Sequence, residues 1–195
     1  LMPEWQQNIK RLLDILIALT GSILLAPVMI YVAIRVRFSS AGPVIYSQER
    51  IGYKGKPFRM YKFRSMFESA EKDGPALSSD NDPRITKWGK TMRKWRLDEV
   101  PQLWNILIGE MSLVGPRPLY MSQAREFTER QRRRLEVKPG LTGLAQILGR
   151  GELPHAEKLE LDVQYVENAS LGLDLKIIWR TVVMVVCRRH VYQRW

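Results

Sequence analysis

Cysteine occurs once in the 195-residue chain, at Cys187, and histidine twice, at His155 and His190. A lone cysteine excludes an intrachain disulfide framework and makes a reducing compartment the expectation. One thiol and two distant imidazoles also lack the ligand spacing of a zinc site. Acidic residues are few beside basic ones: 20 Asp and Glu face 31 Lys and Arg, a net charge of +11. Such a balance points to a polyanionic partner, whether nucleic acid, anionic lipid or phosphorylated small molecules. Internal repeats and low-complexity tracts are missing. With 45% hydrophobic and 26% charged residues, the chain is too apolar for disorder and too charged for a multi-span membrane protein. Its length suits one domain with a real core.

Charge is absent altogether from residues 15–34, which read ILIALTGSILLAPVMIYVAI. As one straight helix this run rises roughly 30 Å, about the thickness of a hydrocarbon core. It is too long for a signal peptide, and no small-residue cleavage site follows it. Pro27 interrupts it by removing the hydrogen bond to the Ile23 carbonyl. Broken there, the two legs reach only about 18 and 12 Å. Thr20 and Ser22 offer hydroxyls for the freed backbone groups. Lys10 and Arg11 precede the run and Arg35 and Arg37 follow it, so both flanks look cytoplasmic by the positive-inside rule. A re-entrant helix that bends at Pro27 and leaves on its entry face satisfies both observations. A tilted, kinked span with its N-terminus outside is the competing reading, and a buried core helix a third, though the run shows no polar face.

Beyond residue 40 the composition changes. Residues 44–49 and 57–64 read as the strands of a hairpin around Gly52-Tyr53-Lys54-Gly55-Lys56. Residues 68–83 read as a polar loop. Helices are expected near 87–95, 99–108, 120–136, 155–167 and 173–189, with 111–118 irregular and 139–151 loop-rich. The last helix carries a wide apolar band with Trp179, then Arg188 and Arg189, with Tyr192 and Trp195 beyond. It suits either a headgroup interface or ordinary core packing. The fold class expected is α+β: a mostly helical cytosolic globe with a small hairpin or sheet, seated on one leaflet.

The sharpest chemical constellation is Arg93-Lys94-Trp95-Arg96-Leu97-Asp98-Glu99-Val100-Pro101. Asp98 reads as an N-cap, with Pro101 inside the first turn. It reads equally as a nucleophile, because a helix N-terminus and nearby cations keep a carboxylate ionised. Neighbouring helical residues point about 100° apart, so Asp98 and Glu99 can hold separate roles. One could attack phosphorus while the other holds a hard cation such as Mg²⁺. The second constellation is cationic: Lys62, Arg64, Arg93, Arg117 and Arg150. Arginine in a stiff loop suits bidentate phosphate binding. A solvated surface is the ordinary role of any one of these cations, but Arg117 sits in Gly115-Pro116-Arg117-Pro118, stiffer than a plain surface charge needs. Gly140-Leu141-Thr142-Gly143 fits a turn better than a phosphate cradle. The basic stretch 120–136 suits anionic lipid or a solvated helix face.

The order of these motifs resembles the bacterial sugar transferases, the monotopic polyprenol-phosphate phosphoglycosyl transferases. The resemblance runs through Lys10-Arg11-Leu12-Leu13-Asp14, Ser47-Gln48-Glu49-Arg50-Ile51-Gly52, Tyr61-Lys62-Phe63-Arg64-Ser65-Met66 and Leu97-Asp98-Glu99-Val100-Pro101-Gln102. It continues through Gly115-Pro116-Arg117-Pro118, Lys138-Pro139-Gly140-Leu141-Thr142-Gly143 and Asp162-Val163-Gln164-Tyr165. It implies transfer of a sugar 1-phosphate from a UDP-sugar to undecaprenyl phosphate, with UMP released, as the first membrane step of glycoconjugate synthesis. Asp98 would attack the sugar-bearing phosphorus and form a covalent phosphosugar intermediate. Glu99 and Mg²⁺ would neutralise the diphosphate, with Asp98 and Glu99 as metal ligands, and Lys62, Arg64, Arg93, Arg117 and Arg150 would bind phosphate oxygens. The family's Pro-broken helix supports the re-entrant reading of Pro27.

The partners implied are the nucleotide-sugar donor, undecaprenyl phosphate, anionic membrane lipid and, as an option, a second copy in a homodimer, with no nucleic acid. Residues 1–40 would form the membrane helix and its flanks, and 41–195 the catalytic domain on the cytoplasmic face of the bacterial inner membrane. Ala26 stands where the family commonly has Ser, and Leu148 where it often has Asn, which touches the helix break and the sugar contacts. The rival of a different class is a non-catalytic basic module docked on a membrane surface.

Overall fold

The computed structural model describes residues 2–67, 82–149 and 153–187. Most of the polar segment expected at 68–83, Arg150, and the chain end with Arg188, Arg189, Tyr192 and Trp195 lie outside those residues. The described chain is mostly helical, with two small two-stranded sheets and one long apolar helix at the N-terminus.

That helix, α1, spans Glu4–Ser39, about 54 Å at 1.5 Å per residue. By length and composition it could cross a membrane, with a mean hydropathy of 2.3 over its most apolar stretch. It is continuous through Pro27, so the two separate legs expected from the proline are one helix. Ser22 does not serve the carbonyl that Pro27 frees. Its hydroxyl donates to the Ala18 carbonyl at 2.7 Å, the back-bond that serine makes one turn earlier in a helix.

One face of α1 rests on the globe along its length. Near the start, Lys10 pairs with Asp174 at 2.5 Å and donates to the Val114 carbonyl at 3.0 Å. The buried Asp14 accepts from the Leu113 amide at 3.0 Å. Arg11 donates to the Ile106 and Leu107 carbonyls at 2.6 and 2.8 Å. Those carbonyls belong to the last turn of α3 (Gln102–Ile108), where helical acceptors run short of amides, and the Ile106 carbonyl also accepts from the Gly109 amide at 3.1 Å. The same helix stops at Gly109, whose φ of 90° favours glycine. Further along α1, Ala18 shares a core with Phe58, Met60, Leu103, Ile106 and Met111. Val32 and Val36 share another with Phe63 and Met92. The opposite face leaves Leu16, Ile23, Leu24, Ile30, Ile34 and Phe38 exposed.

Strands β1 (Ile45–Ile51) and β2 (Pro57–Phe63) form the expected antiparallel hairpin, with Gln48 opposite Met60. Its turn uses Lys54 and Gly55 at φ 54° and 75°. α2 (Lys87–Lys94) begins on Thr86, whose hydroxyl accepts from the Gly89 amide at 2.9 Å. Asn105 in α3 is fully buried and ties that helix to the hairpin. It donates to the Arg59 carbonyl at 2.7 Å and accepts from the Tyr61 amide at 3.1 Å.

Two segments expected to be irregular or loop-rich hold a second, parallel sheet. β3 (Ser112–Val114) pairs with β4 (Gly140–Thr142). The turn expected at Gly140 is a strand instead. A Cβ there would lie 2.1 Å from the Gly115 nitrogen, so the glycine is needed for the close approach of two backbones. The single helix expected at 120–136 is α4 (Met121–Ala124), α5 (Glu129–Arg132) and a 3₁₀ turn, Arg133–Glu136. Its arginines are largely paired: Arg130 with Glu160 and Glu167, and Arg133 with Glu136 and Glu167. α6 (Leu144–Leu148), α7 (His155–Asn168) and α8 (Leu171–Val186) complete the order. The last two pack Tyr165, Val166 and Ile177 against Val114 and Ile147. α8 also leaves Leu175, Trp179, Val182 and Val186 exposed.

Candidate active site

The chain leaves α2 through Arg96, whose φ of 57° is left-handed, and enters a 3₁₀ turn, Leu97–Glu99. A non-glycine residue held there is under backbone strain, of the kind that gathers at functional sites. The turn buries both Asp98 and Glu99, each 8% exposed. α3 begins only at Gln102, with Pro101 before it and no side-chain cap. The cap reading of Asp98 therefore fails, because the carboxylate lies a turn too early to reach the free amides of α3.

Three cations converge on Glu99. Lys62 from β2 lies 2.9 Å from one carboxylate oxygen and Arg117 lies 3.3 Å from the same atom. Arg96 lies 2.8 Å from the other oxygen. Burial would push the Glu99 carboxyl up, but Lys62, Arg117 and Arg96 outweigh it and hold the group well below the usual glutamate range. Asp98 differs. Its carboxylate makes no hydrogen bond or ion pair to any described residue. Burial and then the neighbouring Glu99 charge push its carboxyl up, while Lys62, Arg93 and Arg96 pull it back in part.

The stiff segment carrying Arg117 has no regular structure of its own. Its carbonyls are held one by one from outside. Gly140 donates to the Pro116 carbonyl at 2.9 Å, Arg134 to Arg117 at 2.7 Å, and Ile51 to Leu119 at 3.0 Å. Arg134 is buried and pairs with Asp162 at 2.6 Å. Arg117 itself stays 45% exposed at its side chain, free to meet a ligand as well as Glu99. A narrow cleft with room of about 20 Å³ opens here, lined by Arg50, Lys62, Glu99, Gln102, Arg117 and Leu141 among others.

Of the expected site residues, Asp98, Glu99, Lys62 and Arg117 come together. Arg93 is half-buried beside them; its Nε donates to the Ser65 hydroxyl at 3.0 Å, and its charge reaches Asp98. Arg64 does not join them. It is buried, and its guanidinium donates to the Ser40 carbonyl at 2.6 Å and to the carbonyls of Pro43 and Val36. This arginine fastens the end of α1. Arg150 lies outside the described residues. Sequence reasoning passed over Arg96 and Arg50 as site residues. The first stood inside the cationic run before Asp98 and the second inside the Gln48-Glu49-Arg50 motif.

Among the described residues no group of three His, Cys, Asp or Glu side chains gathers to hold a metal. Mg²⁺ needs fewer, since it commonly takes one or two carboxylates and fills its shell with water and substrate phosphate. Asp98 offers such a carboxylate without a partner. Both oxygens of Glu99 already face cations. The pair thus fits an ion that arrives with a phosphorylated ligand better than one held by the chain alone. Chemically, the arrangement offers a free carboxylate nucleophile, a fixed negative charge beside it, and cations placed for phosphate oxygens.

Comparison with known proteins adds an independent line. The family described as bacterial sugar transferase matches residues 5–188. An uncharacterised sugar transferase, EpsL, of Bacillus subtilis (strain 168) is 44% identical over 185 residues, covering 95% of this chain and 91% of its own length. A UDP-glucose:undecaprenyl-phosphate glucose-1-phosphate transferase of Klebsiella pneumoniae is 44% identical over 191 residues, 94% of this chain and 41% of the relative. A UDP-N-acetylgalactosamine-undecaprenyl-phosphate N-acetylgalactosaminephosphotransferase of Aeromonas hydrophila is 40% identical over 185 residues, 89% of this chain and 43% of the relative. The chain spans nearly all of EpsL and less than half the length of the other two.

Proposed function

The chain belongs to the bacterial sugar transferase family, and from that premise we propose that it transfers a sugar 1-phosphate from a UDP-sugar to undecaprenyl phosphate, releasing UMP. The observation that carries this reading is the contrast inside the buried pair: Glu99 is held by three cations, while Asp98 has no hydrogen-bond or ion-pair partner among the described residues. A nucleophile for phosphorus has to be ionised, accessible to the ligand and free of competing bonds. The names of the Klebsiella and Aeromonas relatives point to the same reaction with different sugars.

In the proposed first step an Asp98 carboxylate oxygen bonds to the sugar-bearing phosphorus, and the bond from that phosphorus to the UMP oxygen breaks. In the second, an oxygen of undecaprenyl phosphate attacks the same phosphorus and Asp98 leaves, giving the lipid diphosphate sugar. Lys62, Arg93 and Arg117 neutralise and orient the phosphate oxygens, which is most of what phosphoryl transfer asks of a protein. Asp98 and Glu99 would hold Mg²⁺ together with the diphosphate, and the ion would supply further neutralisation of charge.

The acceptor is a lipid, and the chain has surface suited to one. The outer face of α1, Trp104 and Ile108 on α3, and Trp179 and Val182 on α8 all expose large apolar side chains. Both ends of α1 are fastened to the same globe, by Lys10 and Arg11 at one end and by Arg64 at the other. With its middle also packed on the globe, this supports a helix whose two ends stay on one side of the membrane, seating the globe on the cytoplasmic leaflet of the bacterial inner membrane. No specific observation favours the non-catalytic docking module.

The test is UMP release from a panel of UDP-sugars with undecaprenyl phosphate and Mg²⁺, on wild type and Asp98→Asn in lipid nanodiscs. Release with at least one sugar, lost in the variant, supports the reading. Silence across the panel from a folded wild type counts against it.

A further inference from the structure

Arg50 projects from β1 into the cleft beside Lys62, Glu99 and Arg117. Its guanidinium carbon sits 3.5 Å from the centre of the Tyr120 ring, and one of its nitrogens donates to the Gln48 side chain at 2.6 Å. The buried Nε has no partner. Among the described residues no carboxylate pairs with Arg50, whereas Lys62, Arg96 and Arg117 all share Glu99. Burial, together with the like charge of Arg117, pulls the Arg50 pKa below its ordinary value, and the Tyr120 contact offsets this only in part.

A desolvated cation without a counter-charge is unfavourable, so a chain that keeps one has a use for it. Tyr120 holds the guanidinium plane at low entropic cost, as aromatic stacking does for arginine. Tyr120 is itself fixed, because its segment is pinned to β1 through the Ile51 amide and the Leu119 carbonyl at 3.0 Å. The cleft thus holds a preorganised fork with an unused donor next to a second, half-exposed arginine.

We infer that Arg50 is a phosphate-binding residue of the cleft, held in place by stacking on Tyr120 and acting with Arg117 on a phosphate group of a substrate. The phosphate could come from the diphosphate of the nucleotide-sugar donor or from the lipid acceptor. The inference rests on the transfer reading for the identity of the substrates, though not for the presence of an anion site.

The experiment compares wild type, Arg50→Gln and Arg50→Lys as full chains in nanodiscs. It reads thermal midpoint, pyrophosphate and UDP affinity, and the KM for donor and for undecaprenyl phosphate. Removing an uncompensated cation should leave the midpoint unchanged or higher. Pyrophosphate affinity should fall roughly tenfold to a hundredfold in Arg50→Gln, the range for losing a charge-assisted hydrogen bond. Arg50→Lys, which keeps the charge without the fork, should lie between. A rise in donor KM alone places the site on the diphosphate, and a rise in acceptor KM alone places it on the lipid phosphate. Unchanged affinities and KM values, or a sharply lowered midpoint in both variants, would overturn the inference by making Arg50 a structural stack. If wild type binds pyrophosphate through Arg50 yet releases no UMP from any donor, the anion site stands and the transfer reading falls.

Discussion

Glu99 accepts from three cations, Lys62 at 2.9 Å, Arg96 at 2.8 Å and Arg117 at 3.3 Å, while Asp98 beside it accepts from no described residue. Two carboxylates adjacent in the chain are thereby driven apart in character. Opposed environments of this kind assign different roles to paired acids. Glu99 is held ionised by its cations and supplies a fixed negative charge, to which a metal ion arriving with substrate would add. Asp98 is desolvated and repelled by Glu99, which makes its ionised form less stable and more reactive.

The first prediction is a trade between stability and activity at Asp98. Its carboxyl is pushed up by burial and by Glu99, so its ionised form weakens the fold at pH values above its folded-state pKa. Asp98→Asn removes that charge and should raise stability at neutral pH by roughly 0.5–2 kcal/mol while abolishing UMP release. Denaturant melts at pH 7.5 on both proteins check it. A clear loss of stability would mean that Asp98 is a structural residue.

The pH dependence of the first step gives a second prediction. The nucleophile has to be ionised, so single-turnover UMP release should fall on the acid side at a pH above the ordinary aspartate value of 3.8. Lys62 is the leading cation pulling both Asp98 and Glu99 down. In Lys62→Gln both carboxyls should therefore titrate higher, and the acid limb should move to higher pH. Glu99 adds a matching signature in stability. With its folded-state pKa below the ordinary 4.5, it strengthens the fold above that value and loses this effect as pH falls through the depressed one. The variant should lose that part. An acid limb that stays put in Lys62→Gln would show that Lys62 does not set the charge of the pair.

Where sequence and structure part company, the cause is mostly contact at long range. Lys62 and Arg64, two apart in one strand-like run, read alike as cations for phosphate. β2 ends at Phe63, and although the Arg64 amide still donates to the Val44 carbonyl at 3.0 Å, its side chain turns to the end of α1. Lys10 and Arg11 read as flanking charges because their partners, Asp174 and the α3 carbonyls, are invisible locally. Arg50 carried no local mark either, since Tyr120 and the absence of a carboxylate give it its meaning. β3 and β4 have three residues each, too few to show alternation. The hairpin was legible from its turn residues, and the Asp98-Glu99 pair from its motif. The misreading of Asp98 as a cap came from placing Pro101 inside the first turn, whereas α3 starts at Gln102, one residue after it.

A third prediction separates two glycines that look alike in sequence. A Cβ on Gly140 would meet the Gly115 nitrogen at 2.1 Å and the Thr142 oxygen at 2.4 Å, both rigid backbone. Gly140→Ala should force β3 and β4 apart and cost about 3 kcal/mol. Gly172, in the first turn of α8, has nothing within 4 Å, so Gly172→Ala should stabilise by about 0.4–1 kcal/mol through the unfolded chain. Paired denaturation curves decide this, and equal effects in the two variants would refute the close approach.

The fourth prediction concerns the support beneath Arg117. Arg134 reaches Asp162 at 2.6 Å and the Arg117 carbonyl at 2.7 Å through the same nitrogen, and both charged side chains are nearly inaccessible. Asp162→Asn leaves a buried guanidinium without its carboxylate and should cost about 3–5 kcal/mol. Arg134→Met leaves the opposite residue, an aspartate that burial already pushes up against the pull of Arg134. Without Arg134 its folded-state pKa should rise further. A raised folded-state pKa means stability that is present at low pH and lost as pH rises through it. The destabilisation by Arg134→Met should therefore be smaller at pH 5 than at pH 8, whereas that by Asp162→Asn should change little over the same range. In Arg134→Met the Gly-Pro-Arg-Pro segment also loses the donor to its Arg117 carbonyl, so in that variant donor KM should rise more than kcat falls. Melts at the two pH values with steady-state kinetics test the scheme, and a pH-independent loss in Arg134→Met would show that Asp162 does not titrate in the folded protein.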